Sequence, residues 1–161
     1  VNGWDECIRV KVAGTFYVTK RAVPLVRESA HGSISNVLST AALHGYPLRS
    51  AYPASKWGMM GLMKTWAMEL GPEGIRVNAV CPTSVEGARI DAVIRRDAEQ
   101  RGLPFEQVRE VYLRQTSMRT FVTADDVADT ILFLASDAAG KISGQSISVD
   151  GHTEGLSNWL D

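Results

Sequence analysis

Three side chains of this chain could move a proton together: Ser39, Tyr52 and Lys56. The run SAYPASK sets Tyr52 and Lys56 four residues apart where a helix is predicted to start. Positions i and i+4 share one helix face, about 6 Å apart along the axis. An ammonium about 4 Å from a phenol, at an effective dielectric near 20, favours the phenolate by roughly 4 kcal/mol. That is about three pKa units, enough to take a phenol from about 10 toward 7. Ser39 closes the apolar run GSISNVLS, thirteen residues before the tyrosine. A hydroxyl at a strand end can grip a reacting oxygen. The set is equipped for proton transfer to or from an alcohol or ketone.

The elements around these residues read as alternating helices and strands. Apolar residues at Cys7, Ile8, Val12, Phe16, Val18 and Val23 recur at helical spacing, so 5–28 is predicted helix, with Pro24 kinking or shortening its end. Residues 33–38 read as a buried strand and 39–49 as a loop. Ser50 is the expected N-cap of a helix over 51–70, with Pro53 tolerated in its first turn and Gly71-Pro72 as its stop. A second buried strand is predicted at 75–80 and a loop at 82–87. Two charged amphipathic helices follow at 89–100 and 105–115. Thr123 and Asp126 resemble a capping box for a helix ending near Ser136, and 142–149 contains a third strand. Asp150-Gly151 reads as a turn closing that strand. This order predicts an α/β fold with a parallel sheet and helices on both faces.

The bulk properties bound the function. At 161 residues, one domain over 1–161 is expected, with 45% hydrophobic and 22% charged residues. A net charge of −1 gives no basic footprint for nucleic acid. The most apolar stretch, 57–70, is interrupted by Lys64 and Glu69 and is too short to span a bilayer. Cys7 and Cys81 match no metal spacing and read as free buried thiols, which suits a reducing, cytoplasmic compartment. The chain opens on Val1 inside a helix-like segment and reads as a piece of a longer protein. Around helix 51–70, Trp57, Met59, Met60, Leu62, Met63, Trp66 and Met68 leave almost no polar side. Such a helix is expected to be buried all round, partly against a second subunit.

The segments WDECIRVKVAGTFYVTKRAVP, GSISNVLS, SAYPASKWGMMGL, GIRVNAVCPTSV, TADDVADTILFLAS and SGQSISVDG together resemble the short-chain dehydrogenase/reductase family. The resemblance covers essentially the whole chain. It implies the last three strands of a Rossmann-like, doubly wound parallel sheet, with residues 88–121 as substrate-loop helices. It implies Tyr52 as general acid/base, Lys56 as its partner and holder of the nicotinamide ribose, and Ser39 as the group that orients the substrate oxygen. Pro82, Thr83, Ser84 and Val85 would line the nicotinamide side, the Val85 backbone serving the carboxamide. The cofactor would be NAD or NADP. The partners implied are a small alcohol or ketone and further copies of the chain, joined through helices 5–28 and 51–70.

Three departures from the family pattern stand out. Lys11 occupies the position usually held by an asparagine that supports a proton relay. Lysine brings donors and no acceptor, and a second cation near Lys56 if it points inward. Thr83 and Gly87 stand where a glycine and a hydroxyl-bearing residue are usual, and Ser84 is the substitute hydroxyl. The family's glycine-rich phosphate turn, which also chooses between NAD and NADP, lies outside this sequence. The chain by itself is therefore expected to bind dinucleotide weakly, and strand 33–38 to present an apolar edge that invites association.

Other residues carry weaker expectations. His44 and Tyr46 are candidates for the substrate mouth, and Asn36 for bracing its strand. The arginines at 89, 95, 96, 101, 109, 114 and 119 could receive an anionic substrate, but interleaved acids favour surface ion pairing. The alternative to an oxidoreductase is a non-catalytic remnant acting as an oligomerising module without cofactor. A hydrolase built on Ser39 with His44 or with His152 and Asp150 lacks the G-x-S-x-G elbow.

Overall fold

The structure, a computed structural model, describes residues 3–155; Val1, Asn2 and the tail 156–161 lie outside them. Three parallel strands form one sheet: β1 (Ser33–Val37), β2 (Arg76–Pro82) and β3 (Ser146–Val149), in the order β1-β2-β3. Val37 pairs with Val80 and Pro82 with Val149, so the carboxyl ends of all three strands open on the same edge. Beyond its first residue, β2 is fully buried, as a central strand covered on both faces should be. Asn78, buried within it, donates to the Ile142 carbonyl and accepts from the Gln145 amide, which ties the approach to β3 onto the sheet.

One face of the sheet is covered by α3 (Ala51–Leu70). Its Met59, Met60, Met63, Trp66 and Leu70 meet Val77, Ala79 and Cys81 of β2. The predicted helix 5–28 is present as one rod of three parts: α1 (Trp4–Cys7), a π-helical stretch Ile8–Ala13, and α2 (Gly14–Val26). Pro24 sits in the last turn of α2 without ending it at once. The π stretch lies against α3 where Gly58 stands. A β-carbon on Gly58 would sit 3.3 Å from the Val12 side chain, so glycine permits the close crossing.

The opposite face is covered by α6 (Ala124–Ala135), whose Leu134 packs with Val80 and Ala139. The predicted capping box holds: the Asp126 amide donates to Thr123 Oγ1 and the Thr123 amide to the Asp126 carboxylate. The Thr123 amide and the Thr123 hydroxyl both donate to the Asp126 carboxylate and hold it below its ordinary range. Arg76 and Ser33 donate to the Leu134 carbonyl at the other end of α6, supplying partners that helix ends lack. α4 (Ala88–Arg101) and α5 (Phe105–Arg114) form a hairpin with its own core of Ile94, Ala98, Val108, Tyr112 and Phe121.

Two expectations need correction. Ser50 does not cap α3: its backbone is already helical and its side chain makes no cap bond. Helix α3 buries one side on the sheet, as expected, and Trp57 and Met68 on its other side are exposed in the single chain. The expected fully buried thiols are also only half right. Cys81 is buried, whereas Cys7 is half-buried, its thiol at 3.4 Å from both the Ala51 carbonyl and Ser55 Oγ.

Candidate active site

The carboxyl edge of the sheet forms one wall of a cleft of about 1240 Å³. Ser39 stands two residues past the end of β1 and enters the cleft with an extended backbone. Its Oγ accepts from the Ala41 amide at 3.2 Å, capping the short 3-10 turn Thr40–Ala42. That bond uses a lone pair, so the hydroxyl proton is still available to donate into the cleft. The chain is fixed here by buried Leu38, Thr40, Ala41 and Ala42, which leave Ser39 little freedom.

Tyr52 and Lys56 lie on the first two turns of α3 and line the same cleft. Lys56 Nζ stands 5.8 Å from the centre of the Tyr52 ring and donates to the Val37 carbonyl at 3.2 Å. The lysine is 9% exposed, and this carbonyl is its one protein acceptor among the described residues. Burial, then repulsion from Lys11 and Arg89, holds its ammonium below the ordinary lysine range. Burial pushes the thiol of Cys81 up; the Ser39 backbone and Lys56 pull it the other way.

Lys11 points inward. The π stretch delivers its Nζ to 5.9 Å from the centre of the Tyr52 ring, so that two ammonium groups attend one phenol. The loop after β2 supplies Pro82, Thr83, Ser84 and Val85 to the lining. It is held by a bridge to Val122, in which the Glu86 amide donates to Val122 and the Val122 amide donates to Ser84. These bonds flank Val85 without using its own amide. Gly87 adopts φ 132°, and Arg89 follows it into the cleft from the first turn of α4.

Of the residues tied to the substrate mouth, Tyr46 lines the cleft and His44 lies outside its lining. Arg49 covers the Tyr46 ring at 5.0 Å. Asn36 donates to the Asn78 carbonyl at 3.5 Å, a bracing bond across the sheet. Most of the arginines on the α4–α5 hairpin are engaged elsewhere. Arg101 pairs with Asp97 and Arg114 with Glu110, while Arg95 covers Phe105 and Arg109 covers Phe121. His152 meets Ser117 and Glu154 on the exposed surface rather than Ser39, so the hydrolase arrangement does not assemble. Sequence reasoning left the direction of Lys11 open, favoured surface pairing for Arg89, and missed the presence of Glu6 and Cys7 in the lining. A π stretch leaves no mark in apolar spacing. The position of Arg89 directly after the Pro82–Gly87 loop was the signal available for it.

Comparison with known proteins bears on what this cleft belongs to. A family model described as enoyl-(acyl carrier protein) reductase matches residues 1–153. The D-beta-hydroxybutyrate dehydrogenase of Rhizobium meliloti is 38% identical over 152 residues, which are 94% of this chain and 59% of that protein. The chain belongs to the short-chain dehydrogenase/reductase family. The 3-oxoacyl-(acyl-carrier-protein) reductase FabG of Thermotoga maritima is 40% identical over 148 residues, covering 92% of this chain and 56% of that one. The solved sorbitol-6-phosphate 2-dehydrogenase of Erwinia amylovora matches with a TM-score of 0.87 at 27% identity, covering 94% of this chain and 60% of that one. The chain thus spans somewhat more than half the length of the relatives it matches. Its three-stranded parallel sheet with flanking helices is part of their Rossmann-like fold. These relatives are dehydrogenases and reductases by name, and one solved neighbour, a 4-hydroxyisoleucine dehydrogenase at 27% identity and a TM-score of 0.73, is complexed with NADH.

Proposed function

We propose that this chain carries the proton-transfer and substrate part of an NAD(P)-dependent oxidoreductase that interconverts a secondary alcohol and a ketone. The observation that carries the reading is the convergence of Ser39, Tyr52 and Lys56 on one cleft at the carboxyl edge of the sheet. Tyr52 Oη gives its proton to the ketone oxygen in reduction and takes it back in oxidation. Ser39 donates its hydroxyl hydrogen to the same oxygen. Lys56 meets the negative charge that grows on Tyr52 as the proton leaves.

The donor set also fits a nicotinamide ribose. Lys56 has three donors and uses one on the Val37 carbonyl, leaving two for a diol. Thr83, Ser84 and the Val85 backbone line the same cleft and offer polar partners to a carboxamide. The nicotinamide cofactor, when bound, supplies or accepts the hydride. Catalytic roles are assigned to Ser39, Tyr52 and Lys56, and cofactor contacts to Tyr52, Lys56, Pro82, Thr83, Ser84 and Val85. Tyr46 is retained as a substrate contact; His44 loses support because it lies outside the lining.

The reading extends to the setting. Small alcohols and ketones are the substrates, in the cytoplasm, a location in keeping with the free thiols Cys7 and Cys81. Among the described residues no helix is long and apolar enough to cross a membrane. The outer faces of α2 and α3 expose Tyr17, Val18, Leu25, Trp57 and Met68, which supports assembly of several copies through those helices. The same exposed faces favour a second reading, a non-catalytic module that only assembles. A screen of NADH and NADPH oxidation with small ketones, using the chain fused to the glycine-rich nucleotide-binding segment of a relative, separates the two. Turnover with either nucleotide is the expected result; no turnover with any ketone would leave the assembly module.

A further inference from the structure

The cleft is more cationic than the chain around it. Its lining carries Lys11, Arg49, Lys56 and Arg89 against one carboxylate, Glu6, whereas the whole chain has a net charge of −1. Arg49 is spent on the Tyr46 ring. Lys11, Lys56 and Arg89 take part in none of the ion pairs among the described residues. They arrive from three separate elements: the π stretch, α3 and the start of α4. Lys56 feels both of the others, and burial with this repulsion lowers its affinity for its proton. Holding like charges together in a half-buried cleft is costly, and an oxyanion among them removes that cost.

We propose that Lys11, Lys56 and Arg89 form an oxyanion site in the cleft, receiving either a carboxylate on the substrate or the diphosphate of the nucleotide. The inference rests on the reading above for the cleft being the substrate and cofactor site. It adds the chemical class of the ligand, and it gives roles to two residues that depart from or lie beyond the family pattern. Lys11 replaces a neutral side chain with a cation beside Tyr52. Arg89 places a guanidinium two residues beyond Gly87, where a hydroxyl is missing.

The two sources of the oxyanion are separable. Binding of inorganic diphosphate, acetoacetate and its neutral ethyl ester to the full chain is measured by calorimetry, for wild type, Lys11→Met and Arg89→Met. Lys11→Gln and Arg89→Gln serve as second variants, and circular dichroism confirms folding. At least one of the two anions binds, the ester binds far less, and each substitution weakens the anion about tenfold. The affinity falls as salt rises. Losses confined to acetoacetate assign the site to substrate, and losses confined to diphosphate assign it to the nucleotide. If neither anion binds, if the ester binds as tightly as the acid, or if the folded variants match wild type, the site does not exist. The readout is independent of turnover. Anion binding that follows Lys11 and Arg89 in a protein unable to reduce ketones would keep the site and remove the oxidoreductase.

Discussion

Lys56 is the residue on which the cleft turns, because it is held where an ammonium is least comfortable. Its proton affinity is lowered in the folded chain by burial and by two neighbouring cations. A lysine whose folded value lies below the unfolded one destabilises the fold while it is charged. The unfolded chain then binds more protons between the two values, so stability rises with pH across that window. The ordinary value of 10.5 marks its upper end. Lys56→Met is therefore expected to melt at or above the wild-type temperature at neutral pH. The gap should shrink as pH approaches that upper end. Thermal melts of both proteins across the alkaline range check this; a gap that widens with pH has the wrong sign. Ser39→Ala tests a different bond. It removes the hydroxyl proposed to donate to the substrate oxygen and is expected to lower kcat about 10²-fold.

At the scale of elements, the crossing of the π stretch over α3 decides whether Lys11 reaches Tyr52. Gly58→Val places new atoms against Val12, only 3.3 Å from where its β-carbon would stand. It should force the two elements apart, lower the melting temperature and weaken anion binding in the cleft. Gly61→Ala, where a β-carbon meets nothing within 4 Å in the middle of α3, should leave anion binding unchanged and raise the melting temperature slightly. On the other face, Leu134→Ala opens a hole between α6 and β2 and should cost about 2–5 kcal/mol of unfolding free energy by denaturant titration. Much of this layout was legible beforehand. The apolar runs around Ile34 and Val77, the stop at Gly71-Pro72 and the Thr123–Asp126 box are local signals, and local signals set strands, helix ends and caps. Two features were not legible. The π stretch changes hydrogen-bond register without changing which residues are apolar. Ser50 looked like a cap by type, yet the helical turn begins before it, with the Tyr52 amide already bonded to the Arg49 carbonyl. The Ser39, Tyr52 and Lys56 grouping was readable from spacing, whereas the charge around it depends on which way Lys11 and Arg89 turn.

For the molecule as a whole, too much apolar surface remains outside. Val18 and Leu25 on α2 are each 70% exposed and Met68 on α3 is 80% exposed, in a chain of 17.5 kDa. On the sheet, β1 is an edge strand, and its last residue, Val37, is exposed. Surface of this kind drives association. Light scattering at micromolar concentration should give a mass above that of one chain. Trp57→Glu with Met68→Glu should shift it toward the monomer. A monomer for the unsubstituted chain would show that these faces are covered in some other way.

The claim beneath all of this is that Tyr52 passes the proton to and from the reacting oxygen. Its most direct test is the kcat of Tyr52→Phe in the chain fused to the glycine-rich nucleotide-binding segment of a relative, with substrate and nucleotide at saturation. Loss of the phenolic hydroxyl should cut kcat by about 10²–10⁴-fold with KM little changed. A Tyr52→Phe enzyme that turns over at the wild-type rate would contradict the account.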